Sequence, residues 1–268
     1  MRYLPILLLA IVAATPMRAQ DPGLEAFVGH DYETAMRLLL PQAEKGDARS
    51  QFAVGMMLEG GLAGRQDPAE AALWYRRSSD QDFPPAPLYL AVLYQQGSGV
   101  AKNADSAIEL YRKAFRLAPD NQMVRVHAAF QLGEIYNDPE RSARDAGQAA
   151  LWYSQAGENG NDDGYFKAGW IYWQGDGVAK NDSLAIVAFR GASAMKNTRA
   201  MGLLATLLAL GSPNDAVEAY AWSTLAAELD PIQAGTSLRF VLKENLSAEQ
   251  IAQAEMMMGI WRERWKPE

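Results

Sequence analysis

Few residues in this chain combine the types and the spacing that catalysis requires. Ser193-Ala194-Met195-Lys196 matches the pattern S-x-x-K, in which a lysine base activates a serine nucleophile. The companion motifs S-D-N and K-T-G are absent from the sequence, and a chain with this many serines and lysines often contains such a match by chance. We therefore predict that Ser193 and Lys196 are not catalytic and that the chain is not an enzyme.

Metal ligands are equally sparse. The chain has no cysteine, which excludes disulfides, thiolate metal sites and cysteine nucleophiles, and its two histidines, His30 and His127, are far apart in the sequence. Residues 159–164, with the sequence NGNDDG, resemble the start of a calcium-binding loop, but Trp170 occupies the position of the final ligand glutamate. The sequence therefore predicts no cofactor and no metal site.

The composition predicts a folded chain without a nucleic-acid partner. About half of the residues, 49%, are hydrophobic, which is sufficient for a large core. The 25 basic residues are dispersed among 32 acidic ones, giving a net charge of −7. Binding to nucleic acid requires a cluster of basic residues, so this charge distribution argues against it.

The N-terminus has the layout of a secretory signal peptide. Arg2 precedes an apolar run over residues 4–14, and polar residues follow from Gln20. The run is shorter than the roughly 20 residues that span a bilayer. We predict a signal peptide over residues 1–19, with cleavage after Ala19 or alternatively after Ala14. The expected product is a periplasmic or secreted bacterial protein with no membrane span in the mature chain.

The rest of the chain consists of repeats of about 36 residues. One motif, seen as AALWYRRS at 71–78 and AALWYSQA at 149–156, begins with an alanine and contains an aromatic pair. A second motif, a small residue followed three positions later by a large apolar one, precedes each copy. The leading alanines are spaced by 36, 42, 36 and 34 residues, at Ala71, Ala107, Ala149, Ala185 and Ala219. The small residues keep the same register, at Gly55, Ala91, Gly133, Gly169 and Ala205.

The spacing within each motif is helical. Offsets of three, four and seven place the motif residues on one face of an α-helix, so each repeat predicts a pair of helices. A single pair cannot bury its apolar face, whereas stacked pairs form a continuous core. Glycine-rich segments recur at 97–99 and 175–177, 78 residues apart, and we interpret them as turns rather than phosphate-binding loops.

These motifs resemble the Sel-one-like repeat, a relative of the tetratricopeptide repeat, over roughly residues 31–228. The resemblance implies an all-α, right-handed α–α superhelical solenoid of about six helix pairs with a C-terminal capping helix. We place the helical repeats at residues 20–230 and the capping helices at residues 231–268, where the sequence SAEQ at 247–250 is typical of a capping box. The turns that follow Tyr136 and Leu210 depart from the Gly-x-Gly-Val pattern of the family.

The resemblance also implies a function, since members of this family are mostly adaptors and interaction scaffolds. We expect an exported, non-catalytic scaffold that binds a protein, a peptide or a cell-wall glycan such as peptidoglycan. Two alternatives stay open: an envelope enzyme or accessory subunit that acts on peptidoglycan, and a periplasmic regulator of a membrane sensor. Relatives described as β-lactamases are cysteine-rich, and the absence of cysteine in this chain argues against the enzymatic alternative.

The expected binding surface follows from the same resemblance. In tetratricopeptide relatives the first helix of each pair contributes the ligand-facing residues of the concave surface, and we map those positions onto this chain. Aromatic side chains at such positions suit peptide side chains and sugars, unless the packing of the repeats buries them. The predicted binding residues are Arg49, Phe52, Met56, Gln95, His127, Phe130, Glu134, Phe166, Trp170 and Trp173.

Overall fold

The structure, a computed structural model, describes residues 21–211, 215–231 and 236–266. The predicted signal peptide, residues 1–19, lies outside the described residues. Within the described ranges every regular element is an α-helix. We number the helices α1 (Pro22–Val28), α2 (Tyr32–Glu44), α3 (Ala48–Gly60), α4 (Pro68–Asp80), α5 (Pro85–Gln96), α6 (Ala104–Leu117), α7 (Gln122–Asn137), α8 (Ala146–Glu158), α9 (Asp162–Gln174), α10 (Asp182–Ala194), α11 (Thr198–Ala209), α12 (Asp215–Leu229), α13 (Thr236–Asn245) and α14 (Ala248–Arg264).

The helices follow one another as pairs. Six pairs run from α1 and α2 to α11 and α12, and α13 and α14 come after them. The described residues up to Leu132 form one compact unit and those from Gly133 form a second, and each unit has its own hydrophobic core. Within each unit, most helices that are consecutive in sequence pack against each other, and α13 and α14 both pack against α12. The prediction of an all-helical solenoid of helix pairs with C-terminal helices is confirmed, and the domain boundary at residue 230 stays a prediction.

Asparagine and aspartate side chains start many of these helices. The first backbone N–H groups of an α-helix have no partner inside the helix, so an acceptor just before it satisfies one of them and contributes about 1 kcal/mol. The local sequence therefore sets where these helices begin. The N-cap residues whose side chains accept from the N–H three positions later include Asp47, Asp67, Asn103, Asp145, Asn161, Asn181 and Asn197.

The recurring small residue marks the point where the two helices of a pair touch. At three of these positions an aromatic ring of the alanine motif rests directly on the small residue, leaving no room for a side chain. The rings are themselves buried, because the neighbouring helices enclose them. A Cβ atom added at Gly55 would lie 2.7 Å from the ring of Tyr75, one at Gly133 would lie 2.5 Å from Tyr153, and one at Gly169 would lie 2.7 Å from Phe189.

The glycine-rich segments are turns, as predicted. Gly97 and Gly175 end α5 and α9 with φ values of 73° and 71°. Residues with a Cβ atom avoid this left-handed region, whereas glycine enters it at little cost and allows the chain to leave the helix.

The second glycine of each turn touches the preceding helix pair. A Cβ atom at Gly99 would lie 2.3 Å from the carbonyl carbon of Pro68, and one at Gly177 would lie 2.8 Å from the Cβ atom of Ala146. Pro68 and Ala146 are the first residues of α4 and α8, which belong to the repeat before each turn. Each turn is therefore also a contact between successive repeats, and the glycine is required by the closeness of that contact.

A salt bridge replaces the glycine turn after α7. The guanidinium of Arg144 donates to the carboxylate of Asp176, with its Nη2 atom 2.7 Å from Oδ2, and donates to the side-chain oxygen of Asn137 at 3.0 Å. These hydrogen bonds from Arg144 hold the pKa of Asp176 below its usual range. The predicted departure from the glycine pattern after Tyr136 therefore has a structural counterpart, since side-chain hydrogen bonds organise this connection.

The C-terminal helix covers the end of the repeats. The indole rings of Trp222 on α12 and Trp261 on α14 stack with their centroids 3.8 Å apart and an interplanar angle of 14°. Arg262 of α14 forms a salt bridge with Glu228 of α12 at 2.7 Å. Ser247 caps the start of α14 in a complete capping box, which confirms the box expected from the sequence.

Candidate interaction surface

The predicted binding residues all lie on the first helices of their pairs, but they differ in exposure. They are distributed over α3, α5, α7 and α9. Phe52 and Met56 are buried, Trp170 is exposed, and the other seven are partly buried. The exposure of a side chain decides whether it is available to a partner.

Phe52 and Met56 require a correction. Both belong to the hydrophobic core of the first unit and expose 0% and 4% of their surface. The ring of Phe52 is surrounded by three other rings, with centroid distances of 5.5 Å to Tyr75, 5.5 Å to Phe83 and 5.0 Å to Tyr89. A side chain enclosed in this way offers no surface to a ligand, so we remove both residues from the predicted binding surface.

Gln95 and Glu134 serve the fold through hydrogen bonds. Gln95 accepts a hydrogen bond from the Tyr111 hydroxyl at 2.6 Å and donates one to the Gln131 side chain at 3.0 Å. Glu134 accepts from the hydroxyl of Tyr153 and forms a salt bridge with Lys167. The polar atoms of Gln95 and Glu134 are therefore largely committed to interactions within the protein.

The remaining residues of the first unit, Arg49, His127 and Phe130, are partly buried. The His127 ring lies 6.4 Å from the Tyr111 ring, and burial lowers the pKa of its imidazole. A histidine in this setting is neutral at physiological pH and packs against an aromatic neighbour. Whether these three residues contact a partner stays a prediction.

Three aromatic side chains on α9 form the most open part of the predicted surface. Phe166, Trp170 and Trp173, which we call the aromatic ladder, are four and three residues apart and share one face of the helix. The ring centroids of Phe166 and Trp170 are 6.2 Å apart, and those of Trp170 and Trp173 are 5.3 Å apart at an angle of 71°. Trp170 exposes 43% of its surface, an unusual amount for so large an apolar side chain.

The indole N–H groups of Trp170 and Trp173 differ from those of Trp222 and Trp265. Trp222 donates its indole N–H to Glu218 at 3.0 Å, and Trp265 donates to the carbonyl of Ala194 at 2.8 Å. By contrast, no acceptor for the indole N–H of Trp170 or Trp173 exists among the described residues. Both groups are therefore available to an external acceptor.

The next helix pair contributes the surroundings of the aromatic ladder. Arg199 of α11 lies over the Phe166 ring, with its guanidinium carbon 4.4 Å from the centroid, and forms a salt bridge with Asp163 at 2.8 Å. Gly202 follows Arg199 by three residues, on the same face of α11, and a Cβ atom added there would meet nothing within 4 Å. Thr206, one turn further along, is exposed. Arg199 therefore lies over the Phe166 end of the aromatic ladder, and two small residues follow it along the same face of α11.

Sequence reasoning missed Arg199, Gly202 and Thr206. They stand 36 residues after Asp163, Phe166 and Trp170, so the repeat register places them at equivalent positions of the following repeat. Gly202 and Thr206 matter because they are small, since a larger side chain on the face of α11 that carries Arg199 would extend towards the aromatic ladder. Small residues carry no functional group that marks them in a sequence, but they stand out when the fifth repeat is aligned with Phe166 and Trp170 of the fourth.

The candidate catalytic pair has another role. The hydroxyl of Ser193 is buried and the residue exposes 0% of its surface. Lys196 adopts a left-handed conformation with φ of 68° in the turn after α10, and its ammonium group donates to the carbonyl of Trp265 at 3.1 Å. Neither side chain is arranged to attack a substrate, because the serine is shielded from solvent and the lysine bonds elsewhere.

The segment that resembles a calcium loop is the turn before α9. Asn161 accepts from the N–H of Gly164 at 2.6 Å as an N-cap, and Gly160 has a φ of 101°. Among the described residues no group of three or more His, Asp or Glu side chains is placed to hold a metal ion. No helix in the described part of the chain has the length and apolar character needed to cross a membrane.

The repeat pattern matches a known family. The Sel1 repeat matches residues 48–83, 84–118, 126–161, 162–187 and 198–231, which together make up more than half of the chain. The chain belongs to the Sel1 repeat family. These five Sel1 repeats correspond to the helix pairs from α3–α4 to α11–α12. Sel1 repeats usually mediate protein interactions, and proteins built from them are generally non-catalytic scaffolds.

Solved structures with Sel1 repeats have a similar fold. A protective antigen of uropathogenic Escherichia coli strains, which displays an SLR fold, is 31% identical with a TM-score of 0.57, and the match covers 90% of this chain and 52% of the antigen. A Sel1 repeat protein from Oxalobacter formigenes is 27% identical with a TM-score of 0.63, covering 79% of this chain and 86% of that one.

A curated relative matches over a shorter stretch. Chitin synthase regulatory factor 3 of Schizosaccharomyces pombe is 39% identical over 64 residues, which are 24% of this chain and 7% of that protein. The chain therefore spans about half the length of the antigen and a small part of the yeast protein.

Proposed function

We propose that this protein is an exported interaction scaffold of the bacterial envelope and that the aromatic ladder of its fourth Sel1 repeat binds a protein or peptide partner. The family supports the role of a scaffold, because Sel1 repeats usually mediate protein interactions. The observation that carries the choice of site is Trp170, which is 43% exposed and has no acceptor for its indole N–H among the described residues.

A partner that covers the aromatic ladder removes apolar surface from water. Apolar surface removed from water contributes about 25 cal/mol per Å² to binding, before the costs of association. Tryptophan is enriched among the residues that dominate binding energies, since it offers a large rigid surface together with one donor. The aromatic ladder presents two such residues side by side, and Phe166 extends their surface.

Export is the second part of the proposal. It rests on the arrangement of Arg2, the apolar run at 4–14 and the polar residues from Gln20. N-terminal sequencing of the native protein tests it directly, and the expected first residue is Gln20. A native protein that begins at Met1 and stays in the cytoplasm would overturn this part without affecting the binding surface.

The experiment that tests the binding surface is affinity capture from envelope extracts with residues 20–268 as bait. The wild type should retain a protein that the double variant Trp170→Ala/Trp173→Ala does not retain. Leu151→Ala is the matched control, because Leu151 is an apolar residue with 56% exposure on α8, outside the aromatic ladder. Its capture should equal that of the wild type.

Thermal unfolding of each bait separates binding from folding. Trp173 is partly buried, so the single variant Trp170→Gln is measured as well, since a change at an exposed position costs little stability. Unchanged capture by the folded Trp170→Gln and double variants would reject the surface. Retention of purified peptidoglycan that depends on Trp170, with no retained protein, would replace the protein partner with a glycan.

A further inference from the structure

We propose that the aromatic ladder recognises a neutral, proline-rich segment of a partner protein in the extended polyproline II conformation. This inference rests on the proposed function of the aromatic ladder and specifies the chemistry of its partner. Five features of the surface carry it: the two indole donors, the angle between the rings, the length of the aromatic ladder, the paired charges and the open space above α11.

The indole donors select a partner with unoccupied acceptors. The N–H groups of Trp170 and Trp173 lack acceptors among the described residues, and covering them with an apolar surface would leave two buried donors unsatisfied. An α-helical partner bonds its carbonyl groups internally and supplies few acceptors along its length. A polyproline II segment has no internal hydrogen bonds, so each of its carbonyl groups faces outward and accepts.

Trp170 and Trp173 form an angled corner rather than a flat platform. Their planes meet at 71° in an edge-to-face contact with the centroids 5.3 Å apart, whereas the planes of Phe166 and Trp170 are closer to parallel, at 29°. A flat platform suits the face of a sugar ring, whereas the corner formed by two rings fits a compact pyrrolidine ring, as in other aromatic grooves that bind proline-rich peptides.

The length of the aromatic ladder matches the repeat of the ligand. Phe166 and Trp173 are seven residues apart on α9, which corresponds to about 10.5 Å along a helix. One turn of polyproline II contains three residues and rises about 9.3 Å. A segment lying along α9 therefore brings one proline to each end of the aromatic ladder with the same face of the peptide towards the protein.

The charges next to the aromatic ladder are compensated. Arg199 is paired with Asp163 at 2.8 Å, and Lys167 is paired with Glu134. A strongly charged partner would have to compete with one of these salt bridges, whereas a neutral segment leaves both intact. The charge pattern therefore favours prolines and small uncharged residues over acidic or basic peptides.

The space beside the aromatic ladder accommodates the segment. Gly202 and Thr206 occupy the positions of α11 that correspond to Phe166 and Trp170 in the fourth repeat, and a Cβ atom at Gly202 would meet nothing within 4 Å. A larger residue at 202 would fill this space without disturbing the core. The substitution Gly202→Leu therefore blocks the proposed site, and leucine also favours a helix more than glycine does.

The test is a titration of the full chain with three probes, followed by tryptophan fluorescence and calorimetry. The probes are a blocked oligoproline of about ten residues, which extends beyond the aromatic ladder at both ends, a flexible glycine–serine peptide of equal length, and an N-acetylglucosamine oligomer. We expect saturable binding of oligoproline alone. Trp170→Ala and Gly202→Leu should each weaken binding by about tenfold or more, and Leu151→Ala should leave it unchanged.

Trp173→Phe isolates the hydrogen bond, because it keeps an aromatic ring and removes the N–H group. It should weaken oligoproline binding severalfold. The inference is overturned if oligoproline does not bind, if the glycine–serine peptide binds equally well, if only the glycan binds, or if the folded Gly202→Leu variant binds like the wild type. Capture of an envelope protein that still depends on Trp170 would then leave the proposed function standing without this ligand class.

Discussion

The first and the fourth Sel1 repeats differ at two positions that face each other. In the first repeat the hydroxyl of the buried Tyr75 donates to Glu59 at 2.6 Å. In the fourth repeat Phe189 stands at the tyrosine position, and Trp173 stands at the position of the carboxylate. The second and third repeats resemble the first, since the Tyr111 hydroxyl donates to Gln95, and the Tyr153 hydroxyl donates to Glu134 and accepts from Asn137.

This difference explains why the aromatic ladder lies where it does. A buried hydroxyl needs an acceptor, so each tyrosine commits a polar residue at the end of the first helix to the interior. Phe189 has no hydroxyl and imposes no such requirement. The end of α9 can therefore hold Trp173. This side chain packs against the core on one side and contacts the exposed Trp170.

The largest expected effect is on a repeat that has the tyrosine hydrogen bond. Tyr153→Ala removes a ring that is 1% exposed and rests on Gly133, so it should reduce the free energy of unfolding by about 3–5 kcal/mol. Chemical denaturation of the full chain measures this loss. Leu151→Ala, an exposed neighbour on the same helix, should change stability by no more than about 0.5 kcal/mol. A loss below about 1 kcal/mol at Tyr153 would show that the ring is not part of the core.

An intermediate effect is expected when the fourth repeat receives the missing hydroxyl. Phe189→Tyr should place a buried hydroxyl opposite Trp173 without an acceptor and cost about 1–3 kcal/mol. Adding Trp173→Gln should supply the acceptor found in the second repeat and recover part of this loss. A double-mutant cycle measures the coupling between the two positions, and strict additivity of the two substitutions would contradict the comparison.

The smallest expected effect on stability comes from the ionisation of Glu59, the acceptor of the Tyr75 hydrogen bond. Burial raises the pKa of Glu59, so the folded state favours the protonated form and loses stability as the pH rises from the unfolded pKa through the folded pKa. Glu59→Gln removes this loss and should be more stable than the wild type at pH 7. The advantage should shrink as the pH falls towards about 4, the ordinary pKa of a glutamate.

The second repeat provides the reciprocal variant for this experiment. Gln95→Glu should make stability fall with rising pH, since the new carboxylate would accept from Tyr111 in a similarly buried position. Denaturant midpoints across the pH range give both trends. Parallel pH profiles for the wild type and Glu59→Gln would show that Glu59 ionises freely in the folded protein.

The sequence predicts the repeats well because their contacts are local and periodic. The small residues, the aromatic pair and the glycine turns recur at fixed offsets. The contact of Gly133 with Tyr153 lies within one helix pair, and the contact of Gly177 with Ala146 joins adjacent pairs. The start of each helix is equally local, since an N-cap such as Asn161 needs only the next three residues.

The exposure of the candidate site is harder to predict, because it depends on the following repeat. Phe52 and Phe166 occupy the same register position, yet Phe52 is buried against Tyr89 of the next helix pair. In the repeat that follows Phe166, Gly202 stands at the position that Leu88, the sequence neighbour of Tyr89, holds after Phe52, and the Phe166 ring is partly open. The register identifies candidates, and the size of the residue about 36 positions later decides which of them a partner can reach.

The contact between the glycine turn and the preceding helix also bears on how such chains change in length during evolution. Gly99 touches Pro68, and Gly177 touches Ala146, and the two members are 31 positions apart in each case. A tandem duplication of one repeat copies both the turn glycine and the helix start that it contacts. The new copy then joins its neighbours through an interface that already exists, so unequal recombination can add or remove repeats without waiting for compensating substitutions.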